Sequence, residues 1–335
     1  MSSNKNLIRD KNLQTLKVYL FQKGQALKAE MAKDTGLSVV TINALVKELL
    51  AQNIFTEGEM VQPPLGRPAI NYYFNYDQSH FLLLSIQQEQ VAGQRKLIFD
   101  GRVVNLKGTQ KMQKRLDFTP FSLENFTSII QQYLQAAEEF TIEKIGLSLP
   151  GKIYQGKILS SWETLFDGWE PATALKKITG IPLVMQNDAH LLTVGYAKKH
   201  QLATVESIVG IYYPENSMPG ITIYDKGALI EGGHNLAGEA KYLPHLIDGS
   251  IPTSPAELLA NLAQILAIYN AVIAPDTFII SAESVQVQAV QEMIAASDIL
   301  SKQMNQPAYL FDENFQQSLT VGLLWLVTLE TIYHF

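Results

Sequence analysis

Two stretches of the chain carry residue types that could do chemistry. In "PLVMQNDAHLL" (182–192) an amide and a carboxylate, Asn187 and Asp188, follow directly on an apolar run. A carboxylate at the end of a buried strand is costly unless a ligand or a partner satisfies it. Asp188 therefore reads in three ways: as a general base, as a hook for a polar ligand, or as the N-cap of the helix that "AHLLTVGYAKKH" predicts. The second stretch is "ALKAEMAKDTGLSVVTINALVKELLAQN" (26–53), whose pattern points to nucleic acid. It predicts a short helix over 27–34, a tight turn at Thr35-Gly36-Leu37, and a helix from Ser38 to about Ala51, with Ser38 as N-cap. In that second helix Ile42, Leu45, Val46, Leu49 and Leu50 share one apolar face. Val40, Thr41, Asn43, Ala44 and Lys47 form the small, polar or basic face opposite. Two short helices about a glycine turn, the second with such an outer face, make the helix-turn-helix pattern.

The elements around these stretches follow from periodicity. "NLQTLKVYLFQKG" has Leu13, Leu16 and Leu20 at helical spacing and stops at Gly24. After the helix pair, "IFTEGEM" and "AINYYFN" read as strands joined by "VQPPLGRP", a wing with Arg67 near its tip. A basic side chain there suits the narrow minor groove, where negative potential concentrates. Residues 1–75 carry nine Lys or Arg against six Asp or Glu, and the remainder 17 against 26. A basic head on an acidic body fits a DNA-binding module joined to something else.

From residue 76 onward strands and helices alternate. "HFLLLSIQ" and "QRKLIFDGRVVNLKG" read as strands, with Asp100-Gly101 as a hairpin turn signal, and Ser122 opens the amphipathic helix "LENFTSIIQQYLQAAEEF". "IEKIGLSL", "IPLVMQ", "SIVGIYY", "ITIYDKGALI" and "DTFIIS" read as further strands. "PATALKKITG", "SPAELLANLAQILAIYNAVI" and "NFQQSLTVGLLWLVTLETIY" read as helices. The pattern predicts an α/β body in two lobes. With 335 residues, 47% of them hydrophobic and 17% charged, the composition is that of a folded protein of two or three domains. No run of eighteen apolar residues exists, the start lacks a signal-peptide core, and there is no cysteine. The expectation is a cytoplasmic protein without disulfides, membrane span or thiolate metal site.

Taken together, these segments resemble the ROK family of repressors and sugar kinases, and in particular sugar-responsive repressors of the xylose and N-acetylglucosamine repressor type. The matching stretches are "TGLSVVTINALVKELL", "LGRP", "IGLSLPGKI", "LFDGW", "GIPLVMQNDAHLLTVG", "DKGALIEGGHNLAGEA" and "IAPDTFII", in the family's order and over nearly the whole chain. The resemblance implies a winged helix-turn-helix over 1–75 and an actin-like, ribonuclease H-like sugar-kinase body. Its first lobe would span 76–188 plus 316–335, and its second 189–315, with a sugar cleft between them. By position, Asn187 would hydrogen-bond sugar hydroxyls, Asp188 would stand at the family's catalytic base, and Glu239 would accept from further hydroxyls. Gly151 of "LPG" would line the sugar side, and His234 and Asn235 lie in the loop ahead of Glu239. Singly, Asp188 also reads as a helix cap and His234 as a surface loop residue.

The departures matter as much. The family's kinases open the body with an Asp-x-Gly-Gly-Thr phosphate loop, where this chain has "SIQQEQVAG" with Ser85 at the aspartate position. The second phosphate loop reads "YYPENSMPG" (212–220), in which Pro214 and Pro219 lack the N–H that phosphate contact would use. A Gly-Gly near the adenosine becomes Ser281-Ala282, and Tyr242 stands where a zinc-ligand histidine would sit. Phosphoryl transfer depends on phosphate positioning and charge neutralisation, so a base alone achieves little. The expectation is an inactive kinase homologue with no metal and no cofactor, in which Asp188 hooks a sugar. It would be a regulator, most simply a repressor of carbohydrate genes, with operator DNA and a sugar or sugar-phosphate effector as partners. It would act as a homodimer, with pairing into tetramers left open. The alternatives are an ATP-dependent hexose kinase and a regulator whose pocket no longer takes sugar. DNA contacts are expected from Val40, Thr41, Asn43 and Lys47 in the major groove and from Arg67 in the minor groove.

Overall fold

The computed structural model describes residues 2–62, 67–91, 94–202, 206–214, 217–247 and 251–334. The head begins with α1 (Ser2–Lys23), which ends where Gly24 turns left-handed at φ 82° and its N–H bonds Leu20 O. A short strand missed in the sequence, β1 (Gln25–Leu27), leads into α2 (Lys28–Thr35), and the Glu30 carboxylate accepts from the Leu27 N–H at 2.9 Å. Gly36, at φ 71°, closes α2 with its N–H on Ala32 O. Ser38 caps α3 (Val39–Ala51) as expected, its Oγ accepting from the Thr41 N–H at 3.1 Å. β2 (Phe55–Val61) and β3 (Ala69–Phe74) follow, in an antiparallel sheet of order β1-β3-β2. The connection at 63–66, most of the expected wing tip, lies outside the described residues. Leu16, Leu20, Met31, Ile42, Leu45, Val46, Leu49, Phe55, Tyr72 and Phe74 are buried together. Each contributes about 1.5–3 kcal/mol if fully buried.

The first sheet of the body contains β4 (His80–Val91), β5 (Gln94–Asn105) and β6 (Gln110–Asp117). After α4 (Leu123–Ala136), capped by Ser122, come β7 (Ile142–Leu149), the hairpin β8 (Gly151–Tyr154) and β9 (Lys157–Ser161), α5 (Pro171–Leu175) and β10 (Leu183–Asn187). Its order is β10-β7-β4-β5-β6, parallel across the first three strands and antiparallel beyond. One expectation fails here: Asp100-Gly101 is not a turn. β4 and β5 pair without interruption from His80↔Asn105 to Val91↔Gln94, so Asp100-Gly101 lies mid-strand opposite Leu84 and Ser85. The glycine serves close packing instead. A Cβ at 101 would sit 2.2 Å from the Tyr133 ring, whose hydroxyl donates to Phe99 O and Lys114 O. Asp100 is buried against Arg102 Nη2 at 2.8 Å and Gln113 Nε2 at 2.9 Å.

The second sheet follows α6 (Asp188–Lys199). It comprises β11 (Ser207–Tyr213), β12 (Gly220–Asp225) and β13 (Ala228–Leu229), then α7 (Pro255–Val272), β14 (Thr277–Ala282), α8 (Val287–Ala296), α9 (Asp298–Lys302) and β15 (Ala308–Phe311). Its order is β13-β12-β11-β14-β15. The chain ends with α10 (Phe315–Thr328), which crosses α6. Glycines permit that crossing: a Cβ on Gly195 would lie 1.8 Å from Ser318 O, and one on Gly322 2.1 Å from Leu191 O. The apolar cluster of α6 and α10 is continuous with that of the head. At the junction Tyr333 packs its ring 5.0 Å from Phe21 and 5.4 Å from Phe74, while the Tyr76 hydroxyl donates to Phe21 O. Among the described residues no helix is long and apolar enough to cross a membrane.

Candidate functional site

The cleft is built at the carboxyl ends of β7 and β10. These strands are parallel neighbours with Asn187 paired to Leu149, so Asn187-Asp188 emerges beside Pro150-Gly151. In open α/β sheets that edge is where ligands bind. Asn187, not Asp188, is the N-cap of α6: its Oδ1 accepts from the His190 N–H at 3.3 Å and its Nδ2 donates to Gly151 O at 3.1 Å. Asp188 occupies the first helical position, where the helix dipole favours a carboxylate, and its Oδ1 accepts from the Ala189 N–H at 2.8 Å. The side chain keeps some contact with the cleft, yet protein hems in the carboxyl closely enough that burial pushes its pKa up to about 7. The nearby Glu283 charge adds to the rise and Lys152 opposes it. Gly151 has no room for a side chain, since a Cβ there would meet Ser160 O at 2.7 Å.

From the other side, a bridge between Gly220 and Glu239 brings the Glu239 loop to the end of β12. The Glu239 carboxylate lies 3.4 Å from Lys241 Nζ, which also donates to Ser160 Oγ at 2.5 Å. The resulting cleft has a volume of about 370 Å³, and Gly151, Asn187, Asp188, Tyr212, Glu239 and Lys241 line it. Of the five expected sugar residues, four are thus brought together. His234 is not: it is exposed, left-handed at φ 55°, and packs edge-on against Tyr154 at 5.1 Å, away from the lining.

Beneath the floor lies a residue that sequence reasoning missed. Lys152 is 3% exposed, and its Nζ donates to Ala237 O at 2.8 Å and to His190 Nε2 at 3.1 Å. Burial pushes the ammonium pKa down, while Glu239, Asp188 and Glu231 hold it up. Burial and that ammonium together depress His190 to about 3, so its imidazole is neutral. The network then assigns the tautomer: Nε2 accepts from Lys152 and Nδ1–H donates to Gln186 Oε1 at 3.2 Å. Gln186 Nε2 donates on to Glu231 Oε1 at 3.1 Å. The only sequence signal was a lysine directly after Pro-Gly, which ordinarily reads as solvent-facing.

β4 and β5 form a hairpin, with Ser85 buried and accepting from Gln87 Nε2 at 2.9 Å. Pro214 and Pro219 both line the cleft, and residues 215–216 of that loop lie outside the described residues. A second cavity, of about 440 Å³, opens between β14 and α8 and is lined by Ser281, Ala282, Glu283, Asp312 and Glu313 among others. Between the two cavities the Tyr212 hydroxyl donates to Glu283 Oε1 at 2.9 Å. Among the described residues no three His, Asp or Glu side chains converge on a metal position.

In the head, Val40 is 79% exposed, and Asn43, Ala44 and Lys47 are exposed along the same face of α3. Thr41 is half-buried, its hydroxyl 2.8 Å from that of Ser38. Arg67 is exposed just before β3.

No protein-family model and no curated protein matches the chain. Solved structures do. The chain is similar over 97% of its length to 97% of a ROK family transcriptional regulator described as a homologue of the E. coli MLC protein, with a TM-score of 0.67 at 16% identity. It is similar over 75% of its length to 99% of a ROK family protein from Streptococcus pneumoniae crystallised with sucrose (TM-score 0.55, 17% identity). A third, a ROK family glucokinase from Streptomyces griseus in complex with glucose and AMPPNP, matches 72% of this chain with 98% of its own (TM-score 0.52, 16% identity). These likenesses establish the fold: mixed sheets and helices in the arrangement of the ROK sugar-kinase structures.

Proposed function

We propose that this protein is a DNA-binding transcriptional regulator of the ROK type, a repressor of carbohydrate-metabolism genes that senses a sugar or sugar phosphate and does not phosphorylate it. The observation that carries this reading is the extent of the likeness: the regulator is matched head and body, whereas the sucrose complex and the glucokinase are matched over about three quarters of the chain. Residues 1–75 form the winged helix-turn-helix. Val40, Asn43 and Lys47 sit at i, i+3 and i+7 on an exposed helical face, as a major-groove reader requires, with Thr41 beside them and Arg67 at the wing. The body divides into lobes at 76–188 plus 316–335 and at 189–315. The protein acts as a homodimer in the cytoplasm, one head per half-site.

In the cleft, Asn187, Asp188 and Glu239 offer hydrogen-bonding groups to hydroxyls. A carboxyl held near pKa 7 is a fair general base, and it favours a kinase, as does the likeness to the glucokinase. Against it stand a plain hairpin and two prolines where phosphate loops are needed, and carboxylates lining the β14–α8 cavity. Signal transfer runs through α6, which starts at the cleft, to α10 and then to Tyr333 against Phe21 and Phe74 of the head. Any effector must bind two conformations with different affinity to act.

The test is fluorescence anisotropy of the full chain on DNA from upstream of its own gene, against scrambled DNA, at two salt concentrations. Selective binding that persists at the higher salt supports a regulator. Equal, salt-labile binding to both DNAs would leave only non-specific electrostatics and refute the operator-reading role. ADP release over a sugar panel, abolished by Asp188→Ala, would establish the kinase instead.

A further inference from the structure

We infer that the cleft takes an uncharged sugar and turns away its phosphate ester, with Glu283, held by Tyr212, as the discriminating charge. This rests on the sugar-sensing reading above and narrows it to one ligand class. Among the described residues, the Asp, Glu, Lys and Arg side chains lining the cleft are Asp188, Glu163, Glu239 and Lys241, three acids to one base. Lys241 is already engaged, 3.4 Å from Glu239 and 2.5 Å from Ser160 Oγ. Lys152, beneath the floor, directs its Nζ to Ala237 O and His190 rather than into the cleft.

The wall beside Asp188 is the decisive part. Tyr212 lines the cleft there and donates its hydroxyl to Glu283 at 2.9 Å, fixing a carboxylate directly behind the wall. That charge raises the pKa of Asp188, against the larger opposing effect of the Lys152 ammonium. A phosphate needs cations or a nest of backbone N–H groups. Here it would meet the carboxylates of Asp188 and Glu239, with that of Glu283 behind Tyr212, and Pro214 and Pro219, which offer no N–H. Sugar hydroxyls carry no charge and need only donors and acceptors, which Asn187, the Glu239 carboxylate and a partly protonated Asp188 provide.

The test is isothermal titration calorimetry of the full chain with matched pairs: glucose and glucose 6-phosphate, N-acetylglucosamine and its 6-phosphate, xylose and xylose 5-phosphate. In any pair that binds, the neutral member is expected to bind roughly tenfold to a hundredfold tighter. Glu283→Gln, checked for folding by its melting temperature, should shrink that ratio by about tenfold. Raising ionic strength on the wild type should shrink it as well, because salt screens like charges. A phosphate that binds as tightly as its neutral partner, or a ratio that moves with neither perturbation, overturns the inference. If no member of any pair binds, the sugar-sensing reading falls and the inference with it.

Discussion

Replacing Gly195 with alanine should destabilise this protein and impair its cleft, against the usual effect of that change. In an exposed helix interior Gly→Ala is favourable by about 1 kcal/mol, because alanine has less backbone freedom to lose. At Gly195 the added Cβ would lie 1.8 Å from Ser318 O and 2.7 Å from Gly322 N, both rigid backbone atoms of α10. Relief requires α6 and α10 to separate by more than an ångström along their crossing. Overpacking of this kind costs about 1–3 kcal/mol and more where backbone must move, which exceeds the propensity gain. The net loss is expected to be about 2 kcal/mol, read as a fall of several degrees in melting temperature. The same displacement moves the start of α6, so sugar binding at Asn187 and Asp188 should weaken with it. Gly180→Ala is the control, with nothing within 4 Å of its added Cβ, and should change stability by less than about 0.5 kcal/mol. Calorimetric melting of both variants checks this. A Gly195→Ala protein as stable as the wild type would refute the close helix crossing.

Asp188 should give the protein a distinctive pH dependence. Its folded pKa of about 7 lies above the unfolded value, so its contribution to stability is fully present below about pH 4 and is lost as pH rises through 7. Asp188→Asn should remove that loss, making the variant more stable than the wild type at pH 8 by up to a few kcal/mol; denaturant melts of both at pH 4.5 and 8 read the difference. Lys152→Met should destabilise by roughly 2–4 kcal/mol, because it strips the donor from neutral His190 and from Ala237 O, and urea unfolding measures it. Arg67→Ala and Lys47→Ala should each weaken DNA binding, Lys47→Ala with a salt slope smaller by about 1 if it contacts phosphate, as anisotropy titrations would record. Tyr333→Ala should leave DNA binding intact and blunt the sugar response by about fivefold or more, since it removes the ring joining α10 to Phe21 and Phe74.

Much of this was legible because local signals agreed with tertiary need. Ser38 and Ser122 cap their helices, Gly24 and Gly36 end theirs, and the apolar faces of α3 and α4 are the buried ones. Asp100-Gly101 misled because the dipeptide that favours a turn also occurs where a ring lies flat on a strand, and only the fold brings Tyr133 there. β6 escaped notice because its inward Met112 and Leu116 are only half-buried and alternate with charges, as an edge strand does. In the cleft, Asn187, Asp188, Gly151 and Glu239 could be named from motif order. Lys152 could not, because its partners, His190 and Ala237, are 38 and 85 residues away. His234 stands outside the lining although it is near Glu239 in sequence, and the chain between them is left-handed at 234 and 235.

The most direct test is to titrate the sugar that binds the isolated protein into a preformed complex of the full chain with its operator, following DNA anisotropy. If the cleft governs the head, saturating sugar should change DNA affinity by about fivefold or more in the wild type. The same sugar should leave an Asp188→Ala complex unmoved. DNA affinity indifferent to a sugar that demonstrably fills the wild-type cleft would contradict the coupling on which the whole reading depends.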